Sequence, residues 1–401
     1  MNSKSFSQDQ ANLFGYLYHV IMQTEQLIYS EIDGWRFVKQ NKEKLIASLV
    51  FVFGHKDMIR DQRHFNHIKQ LYPEAEIIGC STAGEISNPG IQSRSLVCSA
   101  VRFDHTRFKI VKAIISQADE SYMLGRQIAD QLFSEDLRHV MILSEGININ
   151  GSDLTRGLND RPGVKVPVTG GLAGDQSDFS ETFLIHNGQV DKNIILGIGF
   201  YGDQIQVGYG SMGGWDSFGV DRLVTKAKAN VLYELDGQPA LELYKKYLGH
   251  HAGGLPASAM LFPLSLRFSN SDKVLVRTIL SVDEEKGSMT FAGDIPEGEY
   301  VRLMKASFEK LVQGAGDAAQ YAVSSLGVDN PDLAILISCV GRRLVLKQRT
   351  DEEVEAVKEE LGTGTTVTGF YSYGEICPHY ADGKQCELHN QTMTITLFKE
   401  L

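Results

Sequence analysis

The chain has 401 residues, 42% hydrophobic and 22% charged, with a formal net charge of −11. That composition suits a folded protein long enough for two or three domains and excludes a disordered chain. The longest apolar runs, such as Ile46 to Gly54 and Ile194 to Gly202, are about half the ~20 residues of a membrane-spanning helix, and an acidic chain lacks the basic excess of a nucleic-acid binder, so neither membrane nor nucleic acid is expected as a partner.

Residues 1–40 fit no pattern. Within them Ala11 to Met22 is weakly apolar, but Asn12 and His19 interrupt it and no basic block or cleavage site adjoins it, which argues against export. From there Leu49 to Phe53 reads as a buried strand, Asp57 to Leu71 as a helix and Glu76 to Cys80 as a second strand. The loop Ser81 to Glu85 follows, then Ser95 to Phe103 and Phe108 to Ile115 as a paired hairpin. The order returns with Val140 to Leu143 as strand, Gly151 to Leu158 as helix and Val164 to Thr169 as strand. The loop Gly170 to Asp175 and strands Thr182 to His186, Ile194 to Tyr201 and Gln204 to Gly210 complete that copy. Between copies, Gly219 to Asp236 reads as strand and turn, Gln238 to Leu248 as helix, Val274 to Ala292 as a hairpin and Ser307 to Leu326 as helix. A third copy runs from strand Leu333 to Ser338 through helix Asp351 to Leu361 and strand Thr366 to Phe370, then loop Tyr371 to Glu375 and a last strand, Glu387 to Phe398.

The fold class is therefore α/β, with mixed sheets built from repeated strand-helix-strand-loop-hairpin units in two domains, since hairpins cannot be purely parallel. The domains are expected over 41–214, holding two repeats, and 215–401, holding the third, with Gly213 and Gly214 at the boundary.

The 39 glycines exceed an average of roughly 7%, and the loops account for part of the excess. Gly79, Gly84 and Glu85 match Gly369, Gly374 and Glu375 at identical spacing; Gly170, Gly174 and Asp175 match with one residue deleted. Backbone amides freed by glycine make binding rims, although each glycine pair alone also suits a plain turn. Candidate ligand-binding residues at these rims are Cys80, Ser81, Thr82, Gly84, Glu85, Gly171, Asp175, Tyr373 and Glu375, joined by Cys339, Arg342 and Asn390. Arginine in a strand-end motif such as SCVGRR binds carboxylate or phosphate bidentately, or pairs with a neighbouring acid. A Cys80 or Ser81 nucleophile is the enzymatic alternative, but no GxSxG elbow and no adjacent base support it. Five cysteines without a CxxC pair fit reduced thiols and a cytoplasmic setting.

IIGCSTAGEIS, TGGLAGD, PALELYKKYLG, FAGDIPEGEYVRLM, SCVGRR, GFYSYGEICP and LHNQTMTITLF, in that order from about Leu45 to Phe398, resemble the FIST N and FIST C domains. The resemblance implies a non-enzymatic bacterial or archaeal sensor of small molecules such as amino acids, acting in signal transduction. It also implies similarity to stand-alone nitric-oxide-sensing haem proteins that regulate a separate histidine kinase or diguanylate cyclase. Ferrous haem with one protein axial ligand is the corresponding expectation, with His186 and His389 as candidates and His250, His251 or Cys377 behind them. A haem or amino-acid carrier without signalling is a further alternative. The sequence departs from the family pattern at Cys377, where serine is common, and at Gln176 in the middle loop.

Overall fold

The computed structural model describes residues 22–161, 166–271, 273–379 and 385–401. The Ala11 to Met22 stretch, all but its last residue, and the start of the strand expected from Val164 lie outside them. The first unit comprises β1 (Gln23–Ser30), β2 (Gly34–Lys39), β3 (Leu49–Gly54), α1 (Lys56–Arg60), α2 (Gln62–Leu71), β4 (Glu76–Ser81), β5 (Glu85–Ser87), β6 (Gly90–Gln92) and β7 (Ser95–Arg102). The second comprises β8 (Arg107–Ile114), α3 (Ser121–Leu132), β9 (Leu137–Ser144), α4 (Gly151–Asn159), β10 (Val168–Leu172), β11 (Leu184–His186), β12 (Gln189–Asp191) and β13 (Ile194–Tyr201). The third opens with β14 (Ile205–Met212) and is interrupted by an inserted sheet: β15 (Asp216–Lys228), β16 (Val231–Leu235), β17 (Gln238–Pro239), α5 (Ala240–Leu248), β18 (Leu264–Arg267), β19 (Val274–Arg277), β20 (Ile279–Asp283), β21 (Ser288–Phe291) and β22 (Tyr300–Lys305). It resumes with α6 (Phe308–Leu326), β23 (Leu333–Cys339), α7 (Val340–Leu346), α8 (Thr350–Leu361), β24 (Thr366–Ser372), β25 (Gly374–Pro378), β26 (Cys386–His389) and β27 (Met393–Glu400).

The sheet orders β12-β11-β4-β3-β7-β1-β2, β26-β25-β10-β9-β13-β8 and β14-β27-β23-β24-β5-β6 contain a cyclic exchange. The hairpin β5–β6 of the first unit completes the third sheet, β11–β12 of the second completes the first, and β25–β26 of the third completes the second. Each sheet keeps one central parallel pair, β3 with β4, β9 with β10 and β23 with β24. Strands β3, β9 and β23 of these pairs hold unbroken apolar runs, because both faces are covered. Phe51, Phe53, Leu143, Phe200, Ile337, Phe370 and Phe398 point to one shared centre, where Phe53 meets Phe370 and Phe200 meets Phe398 at ring distances of 4.8 and 5.0 Å. Val50 and Val52, Val140 and Ile142, and Ala334 and Leu336 point outward to the helices.

The α/β class and the repeated units stand as expected. The expected hairpin Ser95–Phe103/Phe108–Ile115 does not pair, and the successive strands Ile194–Tyr201 and Gln204–Gly210 also part: β7 lies between β3 and β1, whereas β8 pairs with β13 and β14 with β27. The reason at the first crossing is a long-range cap. Glu400 of β27 accepts the backbone N–H groups of Asp104, His105 and Thr106 at 2.9, 2.9 and 2.6 Å, so a turn with hairpin composition bridges two sheets. The helix expected over 57–71 breaks at Asp61, whose carboxylate caps α2 by accepting the Arg63 N–H at 2.9 Å. The last expected strand breaks between β26 and β27, where Gln391 has φ +62°. Residues 23–39, expected to be outside the pattern, form β1 and β2 of the first sheet, and the third unit already begins at β14, before Gly214.

Gly79, Gly170 and Gly369 occupy the same place in their units: a Cβ on each would overlap the carbonyl oxygen of Val52, Ile142 or Leu336 on the parallel neighbour, and Gly170 and Gly369 have φ of +149° and +150°. Gly369→Ala is therefore expected to destabilise by about 3 kcal/mol or more. Gly316→Ala, in the interior of α6 with its nearest neighbours 3.9 Å from the added Cβ, is expected to stabilise by about 0.5 kcal/mol. Urea denaturation of both variants checks the contrast; equal midpoints would contradict the close-packed strand account.

Candidate functional site

The three glycine loops leave the C-terminal ends of β4, β10 and β24 and hydrogen-bond to one another in a ring. Ala83 N–H donates to Tyr371 O and Tyr371 N–H to Gly84 O, both at 2.8 Å; Gly174 N–H donates to Ser81 O at 3.0 Å and Tyr373 N–H to Leu172 O at 3.2 Å. Glu85 and Glu375 occupy matching settings. Each accepts from the hydroxyl three residues earlier, Thr82 or Ser372, at 2.6 Å, and from a hydroxyl where the chain returns, Ser95 at 2.7 Å or Thr392 at 2.9 Å. Asp175 departs from this pattern because residues 176–183 intervene before β11. It accepts from Ser180 N–H at 3.1 Å and Glu181 N–H at 2.9 Å, pairs with Lys56 at 3.2 Å and takes the Tyr373 hydroxyl proton bond.

All three carboxyl groups are fully buried. Burial pushes Glu85 up to about 7 and Glu375 up to about 8, against the opposing pull of their hydroxyl donors. Ser372 supports a neutral Glu375, since its hydroxyl also lies 3.3 Å from Ser338 O and can donate there while accepting from a protonated acid. At Asp175 burial also works against ionisation, but hydrogen bonds from Tyr373, Glu181 and Ser180 outweigh it and hold the group below its ordinary value.

The structure thus brings Cys80, Ser81, Thr82, Gly84, Glu85, Gly171, Asp175, Tyr373 and Glu375 together, and fills the space between them with their own contacts. A Cβ on Gly171 would press on Ile337, and one on Gly84 would strike the Arg343 guanidinium. Tyr373 stacks on Phe179 with ring centroids 4.4 Å apart. Burial raises the Cys80 thiol well above its ordinary value and raises Cys339 as well, while Ser81 Oγ accepts the Phe183 N–H at 3.0 Å. Among the described residues no base hydrogen-bonds Cys80 or Ser81, so neither is set up as a nucleophile. Arg342 does not face the ring. It is fully enclosed, paired with Glu353 at 2.7 Å, and donates to Leu311 O at 2.7 Å and to Gly213 O. Its neighbour Arg343, the second guanidinium of SCVGRR and not among the candidate site residues, reaches Ala83 O and Ser93 Oγ and lies over the Tyr371 ring. Asn390 is buried beside Glu375's partner Thr392, and its Oδ1 has no hydrogen-bond partner among the described residues.

A haem axial ligand needs a ring nitrogen open to an apolar cavity. His186 lies on the edge hairpin β11–β12, its Nε2 3.1 Å from Glu76. His389 is buried, with Nε2 3.0 Å from Cys377 O, and burial lowers it to about 3. In both, the Nε2 nitrogen already has a partner. His250 and His251 lie side by side after α5, their rings tilted with centroids 4.0 Å apart.

A cavity of about 420 Å³ opens elsewhere, between α4, the end of β19, the Asp294–Pro296 segment and β26. Its walls are mixed: Arg156 and Asn159 of α4, Arg277 and Asp294 of the inserted sheet, and Lys273 and Glu387 line it together with apolar side chains such as Phe268 and Leu275. Lys273 is ion-paired with Glu387 and lies over the Phe268 ring at 4.6 Å. Arg277 is 3% exposed, and burial pulls it down to about 10 against the influence of Glu387 and Asp294, so it stays cationic at neutral pH. The sequence held one signal for it: in the alternation Val274–Arg277 the arginine shares a face with the buried Leu275.

Glu85 and Glu375 hold protons in the folded chain that unfolded glutamates release above their ordinary value of 4.5. The stability they contribute is present at low pH and lost as pH rises to about 8. Wild type is therefore expected to lose stability relative to Glu85→Gln/Glu375→Gln between pH 5 and 9, the buried histidines being common to both. Denaturant midpoints across that range check it; a constant difference would contradict neutral acids.

Family models for the FIST N domain and the FIST C domain match residues 48–238 and 240–378. The chain is 26% identical over 347 residues to Uncharacterized protein MJ1623 of Methanocaldococcus jannaschii, covering 80% of this chain and 66% of that protein; it thus spans just under two thirds of the relative's length. Among solved structures, cyanuric acid hydrolase from A. caulinodans aligns with 74% of this chain and 99% of its own at 11% identity and a TM-score of 0.18, too low a score to show a common fold. Among the described residues no helix is long and apolar enough to cross a membrane, and no group of three or more His, Cys, Asp and Glu side chains is placed to hold a metal ion. With an N-terminal and a C-terminal match in order over most of its length, the chain belongs to the FIST family.

Proposed function

We propose that this protein is a sensory module that binds a small molecule in the cleft between α4 and the inserted sheet and reports the event to a separate signalling protein. The observation that supports it is the origin of the walls. Asn159 and Arg156 come from the FIST N match, Arg277 and Asp294 from the FIST C match, and Glu387 from the strand exchanged into the second sheet. A ligand that touches all three biases their relative arrangement, and only a difference in affinity between arrangements carries a signal. The reading is non-catalytic, since the loop thiols are enclosed and the loop hydroxyls are hydrogen-bonded. The partner of this reading is a histidine kinase or diguanylate cyclase, by analogy with stand-alone family members. Haem-based nitric-oxide sensing rests on that analogy alone, because the two candidate histidines are engaged as described.

A thermal-shift series over the common amino acids, small carboxylates and nucleotides tests the proposal. A subset is expected to raise the melting midpoint, and Gln385→Trp, an exposed position on the cleft rim, is expected to weaken that response. A panel that leaves the midpoint unmoved, or a response untouched by narrowing the cleft, would contradict it.

A further inference from the structure

Among the charged groups that line the cleft, Glu387, Lys273, Arg156 and Asp160 have an oppositely charged partner, whereas Asp294 is met only by a neutral amide and Arg277 by backbone carbonyls. Glu387 has Lys273, Arg156 has Asp153 at 2.6 Å, Asp160 has Arg126 at 3.2 Å, and Asp294 accepts from Asn150 Nδ2 at 3.1 Å. Arg277 has no carboxylate within ion-pair distance among the described residues. Its guanidinium is held by backbone carbonyls: Nε donates to Asp294 O at 3.1 Å, and Nη1 donates to Leu388 O at 2.9 Å and Val276 O at 3.3 Å. It lies close to Gly293, where an added Cβ would stand 3.0 Å from Nε. Nη2 has no partner among the described residues, and the side chain forms part of the cleft wall.

A buried cation without a counter-ion is unfavourable unless something supplies the charge. The carbonyls fix the fork's orientation, Glu387 and Asp294 act on its charge only from beyond ion-pair distance, and Nη2 is left without an acceptor among the described residues. We propose that Arg277 is the anion anchor of this cleft, and that the molecule the cleft takes carries a carboxylate. This rests on the sensory reading of the same cleft and adds the ligand's chemical class. A carboxylate fits better than phosphate because one negative charge balances Arg277, while a dianion would place surplus charge beside Asp294 and Glu387. Guanidinium geometry also matches the two oxygens of a carboxylate, which a lysine ammonium would not reproduce.

The test is titration of the full chain with propionate, phosphate, propylammonium and propionamide at matched ionic strength, followed by melting midpoint and calorimetry. Propionate is expected to stabilise the wild type more than the other three. In Arg277→Gln the propionate affinity is expected to fall by about tenfold or more, the loss of a charge-assisted hydrogen bond. Should that variant not fold, the wild-type ranking still decides. Phosphate equal to or better than propionate would overturn the carboxylate assignment. Propionate binding that survives Arg277→Gln would overturn the anchor. Propionamide or propylammonium binding without propionate would also overturn it and leave the sensory cleft standing, whereas failure of the whole ligand series described above would remove both.

Discussion

Three sheets that each lack a hairpin, and each receive one from the neighbouring unit, impose the constraint from which the rest follows. Because β5–β6, β11–β12 and β25–β26 are exchanged cyclically, no unit can bury its own central strands without the other two. The loops that launch the exchanged hairpins must pass one another at a common point. That crossing needs glycine where strands β4, β10 and β24 brush the carbonyls of their parallel neighbours. It also needs side chains that satisfy buried backbone, since an unpaired polar group there is costly. Carboxyl groups held by hydroxyls meet that need at Glu85 and Glu375, and a carboxylate paired with Lys56 meets it at Asp175.

Much of this arrangement was legible because buried parallel strands write themselves as unbroken apolar runs: LVFVF, VMIL and LAILI. The spacing of glycine and acid in the three loops predicted their equivalence, and the loops do meet. What they enclose was not legible. Binding rim and packed keystone use the same glycines and acids, and only the neighbouring hydroxyls, Ser95 and Thr392, show that the acids are already satisfied from within. The hairpin error has a similar origin, since the turn at Asp104–Thr106 is capped by Glu400, nearly three hundred positions away, a relation that local composition does not record. Arg342 and Arg343 are adjacent in sequence yet diverge, because helix α7 sends one toward Glu353 and the other toward Ala83.

The inserted sheet between β14 and α6 gives the ring a second role. The inserted strands approach the second unit at α4, and β26 arrives there only because of the exchange. A ligand in that cleft touches a helix of one unit, a hairpin strand of another and the insertion. Its binding energy therefore acts on the contacts that hold the units in register. The ring supplies rigidity, and the cleft supplies a place where a small molecule can favour one arrangement over another.

The central claim is that ligand binds the cleft and not the glycine loops. Hydrogen exchange measured with and without a saturating stabilising ligand separates the two most directly. The account predicts slower exchange in α4, in β19 and across Gly293–Pro296, with Ser81–Glu85 and Tyr373–Glu375 already slow and unchanged. New protection confined to those two loops, with α4 and β19 unaffected, would contradict it.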